Sequence, residues 1–282
     1  ALAKNQIRVL YQPIIYLPTE ELAGFEALVR WEHPKRGLMN PVDFVPLAEE
    51  SDLIVRLGSY VLLRAAPEAA RWPRELPRQE DPLFVSVHVS SRQIFRQNLI
   101  QEIRHILGRN IVPKGSLRLE ITESLVMENP EQATEILEYL RGAGAELALD
   151  DFGQGYSRLR LLHELQPNFV KIDRYFVNGV SADPKRRLFL SRLVDIMHVF
   201  GIAMIAEGVE TEADFRTCKD LGFDYVQGYL IQKPTTDLDH ILSLYPIVAG
   251  MNARERRNRS TDKSRLQGHL EMLPTMAIDL PM

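Results

Sequence analysis

The sequence predicts an α/β fold: a modified (β/α)8 TIM-like barrel in which one strand runs antiparallel to the others. Eight short apolar or β-branched runs alternate with stretches of helical period over about 240 of the 282 residues. That alternation is the signature of βα units closing a parallel sheet. Only YLPTEEL separates the first two runs. This is too short for a helical crossover, so the pair forms a hairpin and one of its strands opposes the rest. An acid, amide or lysine also recurs within these apolar runs, at Glu26, Glu120, Lys171, Glu207 and Gln227.

In chain order, strands are expected at 8–15 (RVLYQPII), 23–31 (AGFEALVRW), 83–90, 117–122, 146–152, 169–174, 203–209 and 225–231. Residues 76–82 (LPRQEDP) form a polar, proline-bounded connector into the third strand. Asn129 before Pro130 reads as the N-cap and first position of the helix PEQATEILEYLRGAG, with Gly142 as its stop. A second helix, PKRRLFLSRLVDIMHVFG, stops at Gly201. The stretch DLDHILSLYPIV reads as a closing helix, which places a barrel domain at 1–250. Residues 251–282, opening MNARERRNRSTDKSR, carry a basic run with little periodicity. They are expected to form a flexible or partner-docking tail.

A hydrophobic fraction of 45% and a charged fraction of 26% are ordinary for a globular protein, and a net charge of −4 offers no footprint for DNA. No apolar run approaches the ~18–20 residues that cross a bilayer. The lone Cys218 excludes an internal disulfide and lies in FRTCKDLG with no base nearby, which reads as a structural thiol in a reducing compartment. The chain opens ALAKNQIRVL, without methionine or a signal-peptide core. It reads as a cytoplasmic segment of a longer protein, with any sensor or membrane anchor upstream.

The chemistry centres on LALDDFG, where Asp150 and Asp151 end an apolar strand. Adjacent carboxylates there lose hydration, and the usual compensation is a divalent cation. In parallel barrels the C-terminal strand ends share one mouth. Glu26, Glu120, Asp150, Asp151 and Glu207 would converge there and repel unless cations neutralise them. Hard oxygen donors favour Mg²⁺ or Mn²⁺. Asp150 is the candidate bridge between two ions ~3.5–4 Å apart, a geometry suited to phosphoester hydrolysis. Lys171 suits holding the attacking water. Taken singly, each residue has a plainer reading. Glu26 could sit on an edge strand, the Asp pair in a loop or cap, Lys171 with Asp173 in a salt bridge, and Gln227 on backbone. Their joint occurrence at one end of successive strands is what those readings leave unexplained.

The segments GFEALVRW, LRLEITES, ALDDFGQGYS, VKIDRYFV, IAEGVET and YVQGYLIQKP resemble the EAL-domain family of cyclic-di-GMP phosphodiesterases. They follow family order from about Gln12 to Pro234. The resemblance implies a modified barrel with one antiparallel strand and hydrolysis of cyclic di-GMP to linear pGpG with two ions, Mg²⁺ or Mn²⁺. It assigns Glu26, Glu120 and Asp150 to the first metal, and Asp150, Asp151 and Glu207 to the second. Glu26, Lys171 and Glu207 become the catalytic set, with Lys171 orienting water. Leu28, Arg30, Asp173, Gln227 and Pro234 fall on the substrate, Arg30 at a phosphate. Glu123, Phe152, Gly153, Gly155 and Ser157 resemble the segment that couples dimer contacts to metal binding. A homodimer and an upstream sensory or GGDEF-type domain are implied as well.

The chain departs from the family at VSVHVSSRQ, where His88 stands in place of a metal-binding asparagine. Asparagine offers a neutral oxygen; histidine offers only a ring nitrogen on a bulkier side chain. Three readings follow. His88 coordinates and shifts preference toward Mn²⁺ or another imidazole-tolerant ion, or it swings aside for water, or it marks a receptor that binds cyclic di-GMP without efficient cleavage. Degenerate receptors of the family often lose the leading glutamate, which is retained here as Glu26.

Overall fold

The computed structural model describes residues 1–75, 83–108, 112–153 and 159–244. The connector 76–82, the tail 251–282 and the domain boundary at 250 lie outside the described residues. The strands are β1 (Ile7–Tyr16), β2 (Glu21–His33), β3 (Gly37–Met39), β4 (Phe84–His88), β5 (Leu117–Thr122), β6 (Glu146–Phe152), β7 (Phe169–Ile172), β8 (Ala203–Ala206) and β9 (Tyr225–Val226). Between β3 and β5 lie the helices α1 (Val45–Glu49), α2 (Leu53–Glu75), α3 (Ser91–Ile94) and α4 (Gln97–Gly108). Then come α5 (Glu123–Glu128), α6 (Pro130–Gly142), α7 (Leu159–Leu165), α8 (Arg174–Val177), α9 (Pro184–Val199), α10 (Glu212–Asp220) and α11 (Leu238–Leu244).

Eight strands close into a barrel in the order β1-β9-β8-β7-β6-β5-β4-β2, with β2 pairing back onto β1. β1 is the reversed strand, antiparallel to both β2 and β9, while β2 and β4 to β9 run parallel. The hairpin expected from the short first link is therefore present. β3 was not expected. It pairs with the end of β2, Trp31 opposite Met39, and covers a small cluster of Ile7, Met39, Phe44, Ile54 and Leu57.

Helix faces follow the expected periods. On α2 the buried residues Leu57, Val61, Leu62, Ala65, Ala66 and Ala69 lie three and four apart, and on α9 they are Leu190, Leu193, Val194 and Met197. Asn129 caps α6 through Gln132 N with Pro130 following, as expected. The stop differs. α6 includes Gly142, and the turn is made two residues later at Gly144, whose φ of +105° suits a residue without Cβ. Gly201 does terminate α9 as expected, at φ +72°.

Side-chain alternation fills the barrel in layers. At the floor, Ile14, Phe84, Ala148, Phe169, Ile205 and Tyr225 pack together. The buried Arg118 guanidinium lies 3.2 Å and 3.5 Å from the ring centroids of Phe84 and Phe169 and pairs with Glu146 at 2.8 Å. A Cβ at Gly24 would come within 2.4 Å of the Phe84 carbonyl, so this close approach requires glycine. Two residues further along β2, β4, β5, β6 and β7 lie Glu26, Ser86, Glu120, Asp150 and Lys171, with Gln227 just past the end of β9, all buried. The period of 2 therefore converts an apolar floor into a polar layer near the C-terminal strand ends.

Candidate active site

Lys171 sits at the centre of that layer. Its Nζ lies 2.7 Å from Glu207, 2.9 Å from Glu120 and 3.4 Å from both Glu26 and Asp150. The side chain is 1% exposed, and burial alone would lower its pKa. The four carboxylates reverse that and hold its pKa well above the ordinary value.

His88 ends β4, in register with Glu120 on β5. Its Nε2 lies 2.6 Å from Glu26 Oε1 and 3.1 Å from Glu120 Oε2, and its Nδ1 lies 3.3 Å from Asp150 Oδ2. Burial would lower its pKa, but Glu120, Glu26 and Asp150 raise it to about 10. Glu26 responds in the opposite sense. Burial would raise its pKa, but Lys171 and His88 hold it well below the carboxylate range. Burial with neighbouring acids pushes Glu120 up to about 7 and Glu207 up to about 8.

The adjacent aspartates reach one side through a backbone device. In a regular strand, neighbouring side chains point to opposite faces. Here the pairing of β6 with β7 is irregular between Leu149 and Phe152, and Asp151 adopts φ +54°, in the left-handed region. As a result Asp150, Asp151 and Glu207 bring ligand atoms within 4.8 Å of one another, as Glu26, His88 and Glu120 do beside them.

Both groups fit divalent cations. Five carboxylates face two basic groups, which leaves an excess of three negative charges when every acid is ionised. Glu120 Oε1 is buried without a hydrogen-bond partner, a cost of the kind an ion relieves. A groove of about 520 Å³ between β1, α2 and residues 236–239 contains none of these acids. Converging charge, more than concavity, marks the mouth.

The remaining expected residues lie on neighbouring elements. Alternation puts Leu28 and Arg30 on the Glu26 face of β2; both are half-buried, and Arg30 donates to the Val29 carbonyl at 2.8 Å. Burial lowers the Arg30 pKa, opposed by Glu26 and Tyr229. Gln227 donates to both Glu26 and Gln12, the latter at 2.9 Å. Asp173 caps α8 through Tyr175 N at 2.8 Å, and its charge helps raise the pKa of Asp151. Pro234 is half-buried and precedes Thr235, which bridges to Tyr11 on β1. Glu123 opens α5 beside the Asp150 strand end, and Phe152 is buried. Gly155 and Ser157 lie outside the described residues. Cys218 is buried and burial pushes its thiol up to about 12, in keeping with a structural role.

Gln12 was missed. It is 7% exposed, accepts from Gln227 and donates to the Gln232 carbonyl at 3.0 Å, tying three chain segments to Glu26. Its sequence signal was the one that marked the others, a polar residue inside an apolar strand.

A family model described as the EAL domain matches residues 1–234. This chain belongs to the EAL-domain family. It is 36% identical over 234 residues to the bifunctional diguanylate cyclase/cyclic di-GMP phosphodiesterase MucR of Pseudomonas aeruginosa, covering 83% of this chain and 34% of that protein. The cyclic di-GMP phosphodiesterase PdeR of Escherichia coli is 34% identical over 234 residues, with 83% and 35% covered. The chain thus spans about a third of the length of these curated relatives. A solved structure of the PaMucR phosphodiesterase in complex with c-di-GMP superposes with a TM-score of 0.78 at 35% identity, covering 85% of this chain and 96% of that one. Among the described residues, no helix is long and apolar enough to cross a membrane.

Gly153 ends the Asp150–Asp151 bulge of this EAL domain with φ +104°, and a Cβ there would meet the Phe176 ring at 2.6 Å. Gly153→Ala should destabilise the protein by about 1–3 kcal/mol through left-handed strain and displacement of Phe176. A urea-denaturation midpoint equal to wild type would show that this turn is not constrained.

Proposed function

We propose that this EAL domain hydrolyses cyclic di-GMP to linear pGpG with two divalent ions, Mg²⁺ or Mn²⁺. The observation that carries the reading is the convergence of Glu26, His88, Glu120, Asp150, Asp151 and Glu207 around Lys171 at one barrel mouth. The related phosphodiesterases support the choice of substrate. In the reaction a water oxygen forms a bond to one phosphorus, and the bond from that phosphorus to a ribose 3′-oxygen breaks.

Glu26, His88 and Glu120 would hold one ion, Asp151 and Glu207 the other, with Asp150 between them. Such ions supply Lewis-acid polarisation of the phosphoryl group and clamp the attacking and leaving oxygens. Lys171 fixes the carboxylate layer and positions the incoming water. Gln12 and Gln227 lock Glu26 in place. Arg30, two positions beyond Leu28 on the same face, meets the other phosphate, and Asp173 and Pro234 border the substrate. Glu123, Phe152 and Gly153 adjoin the Asp150–Asp151 pair and would couple dimer contacts to ion binding; the dimer and an upstream sensory or GGDEF-type domain belong to this proposal.

The test is turnover by the purified chain. Product pGpG should form with Mg²⁺ or Mn²⁺ and cease with chelator; no product under either ion would defeat the enzyme reading. One observation favours a second reading, a receptor that binds cyclic di-GMP without efficient cleavage: His88 replaces an oxygen donor beside Glu26 and Glu120. Under it, His88→Asn would raise turnover by about tenfold or more, on the scale of altering a metal ion's immediate surroundings.

Ion binding should also depend on pH. Glu120 and Glu207, pushed up to about 7 and about 8, hold protons at pH 6, and His88 must lose one to ligate. Affinity for Mn²⁺ should therefore rise from pH 6 to pH 9, with protons released on binding. Calorimetry in buffers of different ionisation enthalpy measures this; pH-independent affinity without proton release would contradict it.

A further inference from the structure

We infer that His88 is a nitrogen ligand of the first ion and makes that site select Mn²⁺ over Mg²⁺. This inference rests on the metal-centre reading above and names the ion preference of that centre.

The geometry carries it. β4 ends at His88 in register with Glu120, so the imidazole is delivered into the carboxylate layer by the strand itself. Nε2 stands 2.6 Å from Glu26 Oε1 and 3.1 Å from Glu120 Oε2. Neighbouring donors around an ion with bonds of about 2.1 Å are separated by about 3 Å. Nε2 thus stands at about that spacing from Glu120 and at hydrogen-bond distance from Glu26, and the three residues bring ligand atoms within 4.8 Å of one another. Glu26 and Glu120 are each nine-tenths or more buried, and Glu120 Oε1 has no hydrogen-bond partner. Glu26 is further restrained by Gln227 and Lys171. The imidazole therefore meets pre-positioned oxygens, while the His88 side chain as a whole stays 47% exposed.

The donor set decides the selectivity. Mg²⁺ is small, holds its water tightly and prefers an all-oxygen shell. Imidazole suits transition ions, and affinity of a mixed nitrogen–oxygen site rises along the divalent series that begins at Mn²⁺. An asparagine at position 88 would offer oxygen and treat the two ions more alike. His88 is thus a specificity-determining residue, and the chain's departure from the family pattern becomes a change of preferred ion.

The experiment uses Mn²⁺ and Mg²⁺ as probes on the 282-residue chain without nucleotide, so its outcome is independent of whether cyclic di-GMP is cleaved. Electron spin-echo spectroscopy of bound Mn²⁺ should show modulation from a directly ligated imidazole ¹⁴N, lost in His88→Asn and His88→Gln. Competition followed by the free-Mn²⁺ signal should show the Mn²⁺/Mg²⁺ affinity ratio falling by about tenfold or more in both variants. Circular dichroism identifies any variant that fails to fold, and the wild-type nitrogen signal remains decisive alone. Bound Mn²⁺ without ¹⁴N modulation in the wild-type chain, or an unchanged ratio in the folded variants, would overturn the inference. Loss of turnover with the nitrogen signal intact would instead defeat only the hydrolase reading.

Discussion

Replacing Glu26 with glutamine should reduce turnover of cyclic di-GMP by about a thousandfold while leaving the fold intact. Glu26 supplies charge to the first ion group, and its two oxygens face His88 on one side and Lys171 with Gln227 on the other. Glutamine preserves the volume and one acceptor but removes the charge. Ion polarisation of a phosphoryl group contributes several kcal/mol, and each ~1.4 kcal/mol is tenfold in rate. Steady-state assays at saturating Mn²⁺, alongside thermal unfolding, measure both halves of the expectation. More than a tenth of wild-type activity remaining in Glu26→Gln would remove Glu26 from the catalytic centre.

Lys171→Met should produce the largest loss of stability of any single change in this layer. The ammonium is the buried cation that Glu26, Glu120, Asp150 and Glu207 all face. Methionine fills the space without charge, removes the ammonium 2.7 Å from Glu207 and leaves Glu26, Glu120 and Asp150 with His88 as their basic neighbour, an arrangement that costs about 3–5 kcal/mol. The deficit has a pH signature. Glu120 and Glu207 already hold protons at pH 5 in the folded state, because burial raises both. Losing the lysine raises them further, so the penalty should be small at pH 5 and grow as pH rises toward 9. Saturating Mn²⁺ should recover part of it by binding only the folded form. Urea melts across that pH range, with and without the ion, test each part; an unchanged midpoint at pH 8 would contradict the charge balance described here.

Much of the fold was legible because the barrel writes itself in local terms. The eight barrel strands fall where apolar runs were seen, and the short first link correctly implied a reversed strand. Strand ends were read too long at 169–174, 203–209 and 225–231, where the ladders stop at Ile172, Ala206 and Val226. Past Val226 the chain still carries Tyr229, Leu230 and Ile231, so hydropathy alone could not mark that boundary. β3 is three residues long and depends on pairing with the end of β2 rather than on any pattern of its own.

For the site, embedded polar residues gave Glu26, Glu120, Lys171, Glu207 and Gln227 from the sequence. The left-handed Asp151 was not visible, since its conformation depends on the irregular β6–β7 pairing. Nor was the ring of contacts around His88, which requires four strands in register. Gln12 carries the same signal, a polar residue between Tyr11 and Pro13 in an otherwise apolar strand.

Anomalous diffraction from a crystal grown with Mn²⁺ and cyclic di-GMP tests the centre most directly. Two manganese peaks should appear, one among Glu26, His88, Glu120 and Asp150, the other among Asp150, Asp151 and Glu207, with nucleotide density over them. A mouth without manganese, or those carboxylates turned away from one another, would contradict the account.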